Sequence, residues 1–214
     1  MDRRSCLLRW SAMCTALTLA AVAALGCKSG LESFSLLYSG YDLPAEWDGL
    51  KGQKVAVVCK PVTTDEFTNS GAARALSEAI CERLKARVSK ITIIEPQKVA
   101  DMIDKGLDSP VAIGKRLKAD KVVAVDIESF GVLDGQTLYR GRAQVTLRVY
   151  DVATKEIEWH KQPPLIEFPS YGSTPASDVS EPEFRNKFIA ILSDRIGRFF
   201  YPHDRYAQED DIIR

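Results

Sequence analysis

The chain has 214 residues, 45% of them apolar, with 29 basic and 29 acidic side chains. That length and apolar content suit one domain with a real core, and the balanced charge leaves no basic excess for holding nucleic acid. There is no internal repeat and no collagen-like or glutamine-rich tract.

Arg3, Arg4 and Arg9 precede an apolar run that ends in Leu17–Gly30, with small residues and then Cys27. Charged, apolar, then small at the cut is the layout of a secretory signal. A cysteine just past the cut resembles the bacterial lipoprotein signal, whose lipobox reads Leu-small-small-Cys; here it is Ala24-Leu25-Gly26-Cys27. The resemblance implies that Met1–Gly26 is removed and that Cys27 carries a diacylglycerol on sulfur and a third acyl chain on its new amino group. Each buried methylene contributes about 0.8 kcal/mol, so two or more chains hold a protein on a membrane. The alternatives are an ordinary signal peptide and an uncleaved anchor over Trp10–Leu25, the latter shorter than the roughly 20 residues a span needs. Arg3-Arg4 also hints at twin-arginine export. Without Met1–Gly26 the chain carries 26 basic and 28 acidic residues, a formal charge of −2.

Of the five cysteines, Cys6 and Cys14 leave with the signal and Cys27 is the lipid carrier. Cys59 ends an apolar strand and Cys81 sits mid-helix, which favours two separately buried thiols over a disulfide. No Cys-x-x-Cys is present.

Residues 27–52 read as a lipidated start and tether, rich in glycine and serine but interrupted by Phe34, Leu36, Leu37, Tyr38 and Tyr41, some of which should pack on the domain or a partner. The folded domain is expected over 53–202. Lys54–Cys59 is nearly all apolar, as in a strand covered on both faces. Ala73, Leu76, Ile80, Leu84 and Val88 recur at three to four residues, predicting an amphipathic helix over 69–88. Ile91–Ile94 is a second strand. Pro96 opens a short helix closed by Gly106, and Ser109-Pro110 caps and restarts it. Lys121–Ile127 is a third strand. This alternation predicts a parallel α/β core.

The pattern then changes. Asp134-Gly135 signals a tight turn. Over Leu138–Tyr150, Tyr139, Ala143, Val145, Leu147 and Val149 alternate with Arg140, Arg142, Gln144, Thr146 and Arg148, predicting an antiparallel strand with one wet face. A two-residue turn would oppose unlike characters, so a bulge or odd-length loop is expected, bringing Asp126 and Glu128 to face the arginines. Val149–Val152 and Glu156–Trp159 read as a second hairpin around Ala153–Lys155. Gln162–Pro182, with five prolines, is expected to be a long functional or mobile loop. Phe184, Phe188, Ile191, Leu192, Ile196 and Phe199 define a last helix, stopped by Pro202, with 203–214 a loose tail. The fold class is thus α/β (α+β): three parallel strands extended by an antiparallel hairpin into a mixed five-stranded sheet, with a C-terminal helix.

Leu117-Lys-Ala-Asp120 leading into a valine-rich strand, and Val149-Tyr-Asp-Val-Ala-Thr-Lys-Glu-Ile-Glu-Trp159, resemble the periplasmic domain shared by the curli-transport lipoprotein (CsgG-type), the lipoprotein B activator of penicillin-binding proteins and the TolB amino-terminal domain. Lys155 stands where that group usually has glycine. The resemblance covers about residues 52–200 and speaks for fold more than for function. The curli-type pore inserts spanning hairpins, and neither the Asp134-Gly135 turn nor Gln162–Pro182 has room for one.

His160 and His203 lack neighbours at metal-ligand spacing. No nucleophile elbow, Ser-x-x-Lys set or phosphate loop is present. Asp126 and Glu128 read as charge partners of the nearby arginines rather than as an acid pair. The expectation is therefore a non-enzymatic envelope lipoprotein with no cofactor and no metal. It would be fixed to a membrane through Cys27, the outer membrane facing the periplasm being favoured by Lys28, and would bind or help assemble another envelope protein, with homo-oligomerisation open. Arg140, Arg142 and Arg148 are the surface to watch, toward an acidic partner or lipid headgroups. Two alternatives stand. One is a small-ligand protein or enzyme using the cleft at the carboxyl ends of the parallel strands, near Pro61–Ser70 and Glu95. The other is a structural subunit of an envelope ring.

Overall fold

The computed structural model describes residues 42–62 and 66–205, with backbone alone at 42 and 66–70. Cys27, most of the tether, Thr63, Thr64 and residues 206–214 lie outside the described residues or side chains. Residues from Leu43 onward form one unit.

The sheet is built as its sequence period demands. Strand β1 (Lys54–Pro61) pairs in parallel with β2 (Thr92–Ile93) on one side and with β3 (Lys121–Leu133) on the other. Strand β4 (Leu138–Asp151) returns antiparallel to β3, and β5 (Ile157–Lys161) antiparallel to β4. The order β2-β1-β3-β4-β5 is the expected mixed five-stranded sheet. Gln162–Pro182 departs from the expectation of a structureless loop: β6 (Ile166–Phe168) and β7 (Thr174–Pro175) within it both add to β4. Pro164 and Pro169 lie on either side of β6 and Pro175 ends β7, places where a proline leaves the β4 ladder largely intact.

Alternation along β1 splits its buried side chains between two cores. Val55, Val57 and Cys59 face one, and Ala56 and Val58 the other. Helix α1 (Glu66–Arg87) covers the first face, with Ala73, Leu76, Ile80 and Leu84 buried at the predicted spacing. The Leu76, Ile80 and Leu84 side chains each contribute about 1.5–3 kcal/mol on burial. Helices α2 (Pro96–Asp104) and α3 (Pro110–Leu117) cover the second face through Val99 and Ile113. Ser109 caps α3, its hydroxyl accepting from the Ala112 amide at 3.4 Å, with Pro110 in the first turn as expected.

Strand β4 is covered on one face only. Ala143, Val145, Leu147 and Val149 are fully buried, and helix α4 (Glu181–Gly197) packs over that face with Phe184, Phe188, Leu192 and Ile196, while Ile191 is also fully buried. Phe200, rather than Phe199, completes the buried row, being 1% exposed. It meets Trp159 and Trp47 at ring-centroid distances of 5.2 and 6.3 Å. The packed unit starts ahead of the expected boundary at residue 52. Leu50 is fully buried, and the Trp47 amide donates to the Phe199 carbonyl at 3.0 Å.

Candidate functional site

The predicted bulge is present. Ile127 pairs with Val145 and Ser129 with Gln144, which leaves Glu128 as the extra residue. The slip brings Asp126 and Glu128 onto the polar face of β4. Asp126 Oδ2 meets Arg148 Nη2 at 2.7 Å. Glu128 finds other partners than arginine, accepting from Thr146 Oγ1 at 2.6 Å and Gln162 Nε2 at 3.3 Å.

The other two arginines of the row are also paired. Arg140 Nη2 donates to Glu167 Oε2 at 3.1 Å, and Arg142 reaches Glu167 Oε1 and Asp134 Oδ1, each at 3.2 Å. Glu167 comes from β6, so the proline-rich segment supplies the counter-charge. The row stands on the partly exposed face of β4, where Arg140, Arg142 and Arg148 each engage a carboxylate of their own chain. Ser173 Oγ and then Arg142 hold the Asp134 carboxyl below its ordinary range. Its bonds to Glu167 and Asp134 raise the Arg142 guanidinium.

The cleft at the carboxyl ends of the parallel strands is a cavity of about 120 Å³ between β1, α1 and α2, bounded by Cys59, Lys60, Arg74, Ser77, Val99 and Asp104. Small-molecule sites usually span about 300–1,000 Å³. Its cations are engaged: Lys60 with Asp108, and Arg74 with Asp104 at 3.2 Å. Cys59 and Cys81 are both free and buried, as favoured. Burial, then Cys81, pushes the Cys59 thiol well up; burial, then Glu78 and Glu82, pushes Cys81 up to about 12. Thiols held protonated are poor nucleophiles.

His160 and His203 lie far apart in sequence, at the end of β5 and after α4. Among the described residues no group of three or more His, Cys, Asp or Glu is placed to hold a metal ion. No helix among them is long and apolar enough to cross a membrane.

Two features escape sequence reasoning. The first is a polar cluster on α4: Asp194 Oδ1 accepts from Arg83 Nη1 at 3.0 Å, and Oδ2 accepts from Arg198 Nε at 2.5 Å. Burial, then the Asp194 charge, lifts the Tyr201 hydroxyl beside it to about 12. The second is an open groove of about 620 Å³ between Leu43–Glu46, Pro163–Ile166 and the end of α4. Arg195 and Arg198 sit one helical turn apart, the only advance signal of either.

These elements define a mixed α/β sheet domain with one face under α1 and α4 and the other half-covered by α2 and α3. No protein-family model matches the chain, and no curated protein matches it. Among solved structures it is similar to the PelC dodecamer subunit from Paraburkholderia phytofirmans, at 14% identity and a TM-score of 0.44, over 76% of this chain and 94% of that one. It is similar to lipoprotein GNA1162 from Neisseria meningitidis at 12% identity and a TM-score of 0.39, over 67% of this chain and 96% of that one. The LpoB C-terminal domain from Salmonella enterica matches at 15% identity and a TM-score of 0.36, over 62% of this chain and 90% of that one. The group to which the sequence resemblance pointed is thus represented among these structures, at distances that transfer no partner, activity or assembly state.

Proposed function

We propose that the chain is a bacterial envelope lipoprotein, fixed to the outer membrane through Cys27, that binds another envelope protein without catalysing a reaction. The carrying observation is the signal ending in Ala24-Leu25-Gly26-Cys27, sixteen residues ahead of a folded unit that starts at Leu43. Acyl chains at Cys27 would hold that unit at a membrane face with no spanning helix.

The binding surface in this reading is the far end of the β3–β4 hairpin. Leu133 and Leu138 flank its turn and are 57% and 39% exposed. The 169–173 segment reaches the same turn, since Ser173 Oγ donates to Asp134 Oδ2 at 2.7 Å, and it carries Tyr171, 94% exposed. Exposed apolar side chains gathered at one end mark interaction sites. The arginine row stands behind them, its charge taken up by Glu167, Asp134 and Asp126.

Cell fractionation tests the anchor: Cys27→Ser should move the protein from the membrane to the soluble fraction, and unchanged partitioning removes the anchoring role. Crosslinking in intact envelopes tests the surface. A product formed by the native chain should vanish in Leu133→Glu/Tyr171→Ala, and its persistence assigns binding elsewhere. Native mass spectrometry of the crosslinked species distinguishes a second copy from a different protein.

A further inference from the structure

The groove beside α4 has no part in that proposal. Its walls include Pro44, Pro163, Pro164 and Leu165, with Phe199 from the α4 end. Three prolines present no N–H to solvent and hold their backbone rigid, so these walls are preformed and apolar. The Pro163 carbonyl is already taken, accepting from Gln144 Nε2 at 3.0 Å. Leu165 is 49% exposed along the opening. A groove of about 620 Å³ falls within the range of small-molecule sites, which are mostly apolar with a few placed polar groups.

Two of the polar groups here are guanidiniums. Arg195, Arg198 and His203 line the groove. Arg198 spends only Nε, on Asp194, and its two terminal nitrogens make no hydrogen bond among the described residues. A guanidinium with both terminal nitrogens available suits bidentate recognition of a carboxylate. The acidic lining residue, Glu46, is neutralised by Lys161, whose Nζ lies 2.8 and 3.0 Å from its two oxygens. The groove therefore joins an apolar trough to a guanidinium that keeps both terminal nitrogens for a ligand while Nε is held by Asp194.

We infer that this groove binds a long-chain fatty carboxylate, with the head on Arg198 and the chain along Pro163, Pro164, Leu165 and Phe199. The test uses the full chain carrying Cys27→Ser, which lacks the covalent lipid and so reads this site apart from any anchoring role. cis-Parinaric acid, titrated below its critical micelle concentration, should give saturable fluorescence enhancement that palmitate displaces. Leu165→Glu, a change at an exposed position, should weaken parinarate about tenfold or more with an unaltered melting temperature, and Arg198→Gln should weaken it about tenfold. Hexadecyltrimethylammonium, equally long but cationic, should fail to displace the probe. Absence of saturable binding, full affinity in Leu165→Glu, or displacement by the cation as efficient as by palmitate would overturn the inference.

Discussion

Arg83 of α1 and Asp194 of α4, 111 positions apart in sequence, are joined by a hydrogen-bonded ion pair of 3.0 Å, which ties together the two helices covering the main core. Arg83 also donates from Nε to Ser193 Oγ at 2.9 Å and from Nη2 to the Ala190 carbonyl at 3.0 Å. The Asp194 side chain is only 10% exposed and serves Arg198 as well. Removing one member of a largely buried pair strands the charge of the other. Asp194→Ala should therefore cost about 3 kcal/mol in urea unfolding. A loss below about 1 kcal/mol would place the pair among ordinary surface bridges.

Gly141 on β4 faces Phe188 of α4. A Cβ there would stand 2.5 and 2.7 Å from Phe188 Cδ2 and Cδ1. Phe188 is fully buried and its ring also packs on Phe130 at a centroid distance of 5.4 Å, so it has nowhere to go. Gly141→Ala should destabilise by about 1–3 kcal/mol through overpacking. Adding Phe188→Leu should recover part of that loss relative to the sum of the single changes, measurable as a double-mutant cycle.

The turn between β4 and β5 holds Lys155 at φ 68°, in the left-handed region. This is the position where the resembling group carries glycine, and the backbone angle supplies the reason. A left-handed non-glycine residue costs about 1–2 kcal/mol, partly offset by the chain entropy that glycine adds to the unfolded state. Lys155→Gly should raise stability by about 0.5 kcal/mol in chemical denaturation. A decrease would mean that the lysine side chain contributes more than the angle costs.

Buried acids contribute to the alkaline limit, Tyr201 and Cys81 among them, beside the Cys59 thiol that burial also pushes well up. Tyr201 is raised from 10.0 to about 12, and Cys81 from 9.0 to about 12, burial being the first cause for both. Between pH of about 9 and about 12 the unfolded chain has released protons that the folded chain retains. Their contribution is thus complete below about pH 9 and is lost as pH rises through that window. Urea midpoints should fall across the window, and Tyr201→Phe with Cys81→Ala should flatten the fall. An equally steep decline in the double variant would assign it to other groups.

Much of the domain was readable from periodicity. Val55–Cys59 and Lys121–Ile127 announced strands covered on both faces, and the alternation from Ala143 to Val149 announced one covered on a single face, because side-chain direction follows strand period. The clash of characters across Asp134-Gly135 was enough to predict a bulge or an odd-length loop, and the structure places a bulge at Glu128. Gln162–Pro182 misled because proline marks what a strand interior cannot hold, yet strands of two or three residues fit between or end at prolines when a long neighbour such as β4 offers a free edge. The partners of the Arg140–Arg142–Arg148 row were hidden for the same reason: nothing local shows that Glu167 will fold back onto it.

Local spacing by itself carried most of the strand and helix pattern, the cap at Ser109 and the helix start at Pro96, and the Ala24-Leu25-Gly26-Cys27 motif gave the reason to look to a membrane. Only the tertiary structure decided where charges end up. Arg83 meets Asp194, Arg140 meets Glu167, and Pro163, Phe199 and Arg198 come to line one groove, because those meetings depend on how α4 and the 162–175 segment pack across β4. Periodicity specifies which face of an element turns inward, but partners brought together from distant parts of the chain exist only once the faces have met.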